Sequence, residues 1–314
     1  MNWRTASAFV VVGIIWGSAW IATSMVLPRM PGLCAGALRF AIATVLSALL
    51  ALAAHLRKSP GKKIVAASVP SLVLGVIMVA LPYALTVWAA GQVSPGVVAT
   101  LFAFMPLAAL LLSKDVASKA IPTVVIGIGG VALLVAQGLS TSAGQIKGAL
   151  LIAGAVVLSA FSLGYARKHM EQVNLLVSVA IQFAVATILL GALSLATEHW
   201  DPAAWNEQIV VSLLILGVVV SGVTLPLVYW LLGRLETWQV AALQWIATLV
   251  AVGEAAWFLR ARLSVETWAG AGIIVGATVW LLRGEIEEAV TLQITNRSFD
   301  ASAASESEVR SDQR

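Results

Sequence analysis

Ten runs of apolar residues divide this chain, each about long enough to cross the roughly 30 Å hydrocarbon core of a bilayer. They lie near residues 5–27, 33–54, 66–88, 95–113, 121–139, 148–166, 175–197, 209–232, 239–259 and 267–282. The third and fourth are parted only by the turn Gly91-Gln92-Val93-Ser94-Pro95. In lipid every backbone N–H and C=O must find its partner within the protein, and runs of this length do so as helices. The pattern predicts an all-α membrane protein of ten transmembrane helices.

Composition excludes the main alternative. Of 314 residues, 60% are hydrophobic and 11% charged, against roughly 25% charged in an ordinary soluble domain. The mean hydropathy of +0.95 agrees. The net charge is +4 and the pI about 9.5, yet the basic residues sit in short loops and form no clustered surface, so a nucleic-acid partner is not expected. Cys34 is the lone cysteine, and His55, His169 and His199 fall near helix ends or in loops. No cofactor or metal site is expected from them.

The first run is too long for a cleaved leader and ends at Pro28 and Arg29 without a small-residue cleavage site. Orientation follows from loop Lys and Arg. With the N-terminus inside, Arg4, Arg57, Lys58, Lys62, Lys63, Lys114, Lys119, Arg167, Lys168, Arg234 and Arg283 are inner, and Arg29, Lys147, Arg260 and Arg262 outer. Eleven against four puts both termini in the cytoplasm, with Arg260 and Arg262 against the trend. Residues 284–314 are acidic, serine-rich and poor in apolar side chains, a composition expected to form a disordered cytoplasmic tail.

An internal repeat runs through the helices. Arg39-Phe40-Ala41-Ile42-Ala43-Thr44 resembles Gln182-Phe183-Ala184-Val185-Ala186-Thr187, 143 residues later. Pro82, Gly91 and Val98-Ala99 find counterparts in Pro226, Gly233 and Val240-Ala241 at nearly the same offset. Each half holds five helices, an odd number, so the second half must enter the membrane upside down. This predicts two inverted five-helix repeats, 1–141 and 142–283, an architecture used by secondary transporters.

On Trp16-Gly17-Ser18, Arg39-Phe40, Ala89-Ala90-Gly91, Pro106 and the Leu243 to Leu263 stretch, together with the helix count, the chain resembles the drug/metabolite transporter superfamily in its ten-helix, EamA-type branch. The resemblance covers residues 5–283. It implies export or import of amino acids, other metabolites or drugs through a central cavity lined by both halves. A proline usual in the ninth helix is Thr248 here, and a glutamate usual near its outer end is Ala261.

Two charges lie well inside the runs, Arg39 and Glu254. Each costs roughly 2.5–3.5 kcal/mol on insertion scales and so needs a reason. Similar depth in the second and ninth helices permits a pair, serving either a zwitterionic or anionic substrate or the structure alone. Gln182 and Gln244 could bond substrate or a neighbouring helix. Of twelve tryptophans, Trp3, Trp88, Trp200, Trp205, Trp238 and Trp268 fit an interfacial belt, while Trp16, Trp20, Trp230 and Trp245 lie deeper. Trp16, Trp20 and Trp245 join Tyr83, Tyr165 and Tyr229 as cavity candidates. Pro82, Pro106 and Pro226 interrupt helices and are hinge candidates. Gly127, Gly130, Gly270 and Gly276 are read as close-packing positions.

The sequence thus reads as a secondary transporter, an exporter of small organic metabolites such as amino acids, working by alternating access between the repeats. A multidrug or lipophilic-cation efflux carrier is the alternative, and a channel the more distant one. No nucleophile–base set, carboxylate pair or metal set suggests an enzyme. Its partners are a small-molecule substrate and the lipid bilayer. Proton coupling through Glu254 and a homodimer both stay open.

Overall fold

The computed structural model describes residues 3–57, 68–93, 98, 101–113, 120–134, 143–170, 173–199, 205–259 and 265–280. The expected tail 284–314, the basic pair Arg260 and Arg262, Trp200 and the Ser94-Pro95 turn lie outside these residues.

The described chain is helical throughout. The helices are α1 (Trp3–Val26), α2 (Gly32–Arg57), α3 (Ser68–Leu74, Gly75–Ala80 and Leu81–Ala89), α4 (Leu101–Leu112) and α5 (Ala120–Leu134). They continue as α6 (Ala143–His169), α7 (Leu175–Thr197), α8 (Glu207–Leu214, Ile215–Val223 and Thr224–Leu232), α9 (Thr237–Ala241 and Leu243–Leu259) and α10 (265–280). Among the described residues, α1, α2, α3, α6, α7 and α8 are long and apolar enough to cross a membrane.

Two helices are wound irregularly in the same way. The middle segments of α3 and α8, Gly75–Ala80 and Ile215–Val223, are π-helical. In α3 the Leu81 N–H reaches back five residues to the Val76 carbonyl; in α8 the Ser221 hydroxyl donates to the Leu216 carbonyl at 3.0 Å. π-turns inside α-helices are rare and gather at functional sites. Each is followed at once by one of the prolines expected to interrupt helices: Pro82 in the first turn of Leu81–Ala89 and Pro226 in that of Thr224–Leu232. Pro106 likewise opens the Met105–Leu112 segment, after a turn at Phe104. Each proline lacks the N–H that would bond back into the preceding turn, so the backbone ladder is interrupted there. At the end of α3, Gly91 takes φ 82°, a left-handed value that glycine adopts without strain.

Packing closes eight of the helices into a ring. In order around it, α2, α8, α1, α9, α4, α6, α3 and α7 each touch the next, and α7 returns to α2. The α2–α7 contact is the most extensive, and at its centre Phe40 and Phe183 stack at 5.6 Å with ring planes 11° apart. α5 lies outside the ring against α4 and α9, and Gly130 lets it approach Ile273 and Ile274 of α10. Gly127 fits beneath the Trp245 ring, whereas Gly276 faces open space instead of a neighbouring helix. In lipid such contacts stabilise by van der Waals fit, which is why small residues mark them.

Candidate functional site

Arg39 sits in the second turn of α2, half-buried, and its Nε donates to the Ser221 hydroxyl at 2.8 Å. Because Ser221 in turn donates to Leu216, the guanidinium braces the π-turn of α8. The guanidinium carbon lies 5.3 Å from the Phe40 ring centroid. Tyr83 packs edge-on to the same ring at 5.3 Å and donates to the Gly32 carbonyl at 3.2 Å. The two terminal nitrogens of Arg39 meet no acceptor among the described residues.

The expected pair with Glu254 is not formed. Glu254 of α9 accepts from Ser18 of α1 at 2.5 Å, and its other oxygen is buried without a described partner. α2 and α9 are not neighbours in the ring: α8 and α1 stand between them, each meeting one charge with a serine. Among the described residues the ion pair found is Arg167–Glu236, at 3.1 Å, far along α6.

The remaining candidates divide. Trp16 donates to Thr224 at 3.0 Å and ties α1 to α8. Trp20 follows one turn on, near the face through which Phe9 and Trp16 enter the core, yet it is 47% exposed. Gln182 is fully buried; it accepts from Tyr229 at 2.7 Å and donates to Ser178 at 3.0 Å. Ser178 lies 2.5 Å from Ser71, so a buried polar chain joins α8, α7 and α3. In this conformation protein takes both ends of the Gln182 amide. Trp245 is fully buried and donates to the Ala103 carbonyl at 3.3 Å. Gln244 is half-buried and has no side-chain hydrogen bond among the described residues. Tyr165 stacks on His169 at 4.2 Å, at the Arg167 end of α6. Of the deeper tryptophans, Trp230 is capped by the Arg234 guanidinium at 3.9 Å.

Three contributors escape sequence reasoning. Ser221 is a small hydroxyl in an apolar helix, and Ser18, though part of the Trp16-Gly17-Ser18 motif, gives no sign of its role until the charged partners are placed. Glu198 stands one residue past α7, where a loop acid is ordinary. Its carboxylate reaches the start of α2, accepting from the Leu33 and Cys34 amides at 2.9 Å each, and from Ser194 at 2.7 Å. It therefore satisfies orphan donors of the helix that carries Arg39, where the helix dipole favours negative charge.

Apolar helices closed in a ring, with charged and polar groups held inside them, define a multi-pass membrane protein. The model of the EamA-like transporter family matches residues 3–139 and again 146–283. The chain belongs to that family, and is accordingly a membrane transporter of small molecules. It is similar to Protein PagO of Salmonella typhimurium, 23% identical over 256 residues that cover 78% of this chain and 81% of that protein. A solved crystal structure shares its fold with a TM-score of 0.71 at 18% identity, over 87% of this chain and 95% of the other.

Proposed function

We propose that this chain is a secondary carrier that exports small carboxylate-bearing metabolites, amino-acid-like solutes first, with Arg39 as the group that meets the carboxylate. The observation that carries this reading is a membrane-embedded guanidinium held by one nitrogen and left with two nitrogens to offer. That fork matches a carboxylate bidentately. Tyr83, which packs on Phe40 beside Arg39, and Trp16 and Trp20 of α1 are the proposed cavity-lining groups. Tyr229, Gln182, Gln244, Trp245 and Tyr165 enter as the carrier changes conformation, and Pro82, Pro106 and Pro226 mark where its helices flex.

Ten spans, α1 to α10, form two inverted repeats, 1–141 and 142–283, in the cell membrane. Exchanging α1 with α6, α2 with α7, α3 with α8 and α4 with α9 leaves the ring of contacts unchanged, which supports this reading. Both termini are cytoplasmic, and 284–314 is a tail on that side. Reporter fusions after Arg283 and between Glu198 and Gln208 are expected on opposite faces, and the same face for both would overturn the arrangement.

Glu254 is the proton-binding group. The geometry behind this reading is its Ser18-bound carboxylate, with one buried oxygen that has no described partner. Vesicles containing the purified protein are expected to show saturable exchange of a zwitterionic amino acid, driven by an imposed pH gradient in wild type but not in Glu254→Gln. Ion currents without saturation by any solute would replace the carrier with a channel. Saturable flux of lipophilic cations alone would replace the substrate class.

A further inference from the structure

A groove of about 480 Å³ runs between α1 and α8 at the end of the bundle that carries Arg29. It serves neither Arg39 nor the polar chain of Gln182. Its walls are Ile21 and Met25 from α1 and Val211 and Ile215 from α8. Val211 and Ile215 are 47% and 45% exposed, so the groove opens outward from the bundle. The polar atoms along it are already engaged: Ser18 donates to Glu254, and Ser212 to the Met25 sulfur at 3.6 Å. What remains is an apolar channel about 12 Å long, from Glu207 to Ile215 at the helical rise.

The mouth is different. Glu207 begins α8, where the helix dipole favours its charge. Beside it, Gln208 accepts from the Arg29 guanidinium at 3.1 Å and holds that cation at the groove's rim. α1 ends and α8 begins here, so both charges stand at headgroup depth while the apolar walls stand at acyl depth. A carboxylate next to a guanidinium, above an apolar trough, is complementary to an ammonium next to a phosphate, above a hydrocarbon chain.

We propose that this groove holds an aminophospholipid, with one acyl chain between α1 and α8, its phosphate on Arg29 and its primary ammonium on Glu207. The site is independent of the substrate reading, since occupancy is measured without transport. It also bridges α1 of the first family match and α8 of the second, so the lipid would sit across their junction.

The test uses full-length protein exchanged into mild detergent with equal amounts of phosphatidylethanolamine, phosphatidylcholine and phosphatidylglycerol, with retained lipid counted by native mass spectrometry. Phosphatidylethanolamine is expected to be retained about fivefold over phosphatidylcholine, which lacks N–H donors, a ratio in the range of one exposed ion pair. Glu207→Gln should erase that preference, and Arg29→Gln should lower retention of both lipids. Val211→Phe, which narrows an already exposed wall, should lower retention of all three. Gly129→Phe, on the outer face of α5, should change nothing. Equal retention of the two zwitterionic lipids, highest retention of phosphatidylglycerol, an unaltered preference in Glu207→Gln, or equal losses in Val211→Phe and Gly129→Phe would each overturn the proposal. Displacement of the lipid by an alkylamine at equal concentration would assign the groove to amphipathic solutes instead.

Discussion

Arg39→Gln is expected to lower transport of carboxylated solutes about a hundredfold in kcat/KM, since removing a charged partner from a desolvated ion pair costs roughly 2–5 kcal/mol. Arg39→Lys should be nearly as damaging. Lysine keeps the charge, but it has one nitrogen, and that nitrogen must either replace Nε at Ser221 or face the solute. Arginine does both at once because its fork is planar and rigid. Ser221→Ala removes only the brace and should cost about tenfold, the weight of one hydrogen bond to a charged group. The graded order glutamine, lysine, alanine separates recognition from packing. It would be measured as uptake at matched amounts of folded protein in vesicles. Full kcat/KM in Arg39→Lys would show that the fork has no role.

The sequence exposed Arg39 and Glu254 because charge is rare in apolar helices, and rarity is legible without a structure. Their partners were not. Ser221 is 182 positions from Arg39 and Ser18 is 236 from Glu254, and which helix faces which is decided by packing that no local pattern records. Equal depth suggested a pair, but depth is one coordinate of three, and α8 and α1 occupy the space between. The helix positions were legible because bilayer thickness sets their length, and the structure moves most ends by only a few residues. The π-turns were not: Gly75–Ala80 reads as ordinary apolar helix, and only Pro82 hinted that its backbone bonds are irregular. The depth of Trp245 was legible in the sequence, but not what its ring packs against. Gly127, more than a hundred residues earlier, makes the space that its ring fills.

The repeat itself yields a prediction about stability. A Cβ on Gly75 would lie 2.7 Å from the Val185 Cβ and 2.9 Å from the Gln182 carbonyl. A Cβ on Gly217 would lie 2.6 Å from the Ile42 Cβ and 2.8 Å from the Arg39 carbonyl. Val185 follows Ile42 by 143 positions, as Gln182 follows Arg39, and Gly217 follows Gly75 by 142. One contact has been built twice, each time where a π-turn lies against the other half's α2 or α7. At each site the obstacles are a backbone carbonyl and the root of a branched side chain, which cannot rotate away. Gly75→Ala and Gly217→Ala should therefore each destabilise the fold by about 1–3 kcal/mol through overpacking. Alanine's better helix propensity offsets at most about 1 kcal/mol of that. The sites share no partner, so the double variant should lose about the sum. Unfolding in micelles, followed by far-ultraviolet circular dichroism against added sodium dodecyl sulfate, measures all three. Function should break the symmetry that stability keeps. Gly217→Ala presses on the carbonyl of Arg39 itself and should raise the KM for carboxylated solutes, whereas Gly75→Ala presses on Gln182 and should leave that KM near wild type. Two alanines of very unequal cost would mean that the halves are alike in sequence but do not pack as copies.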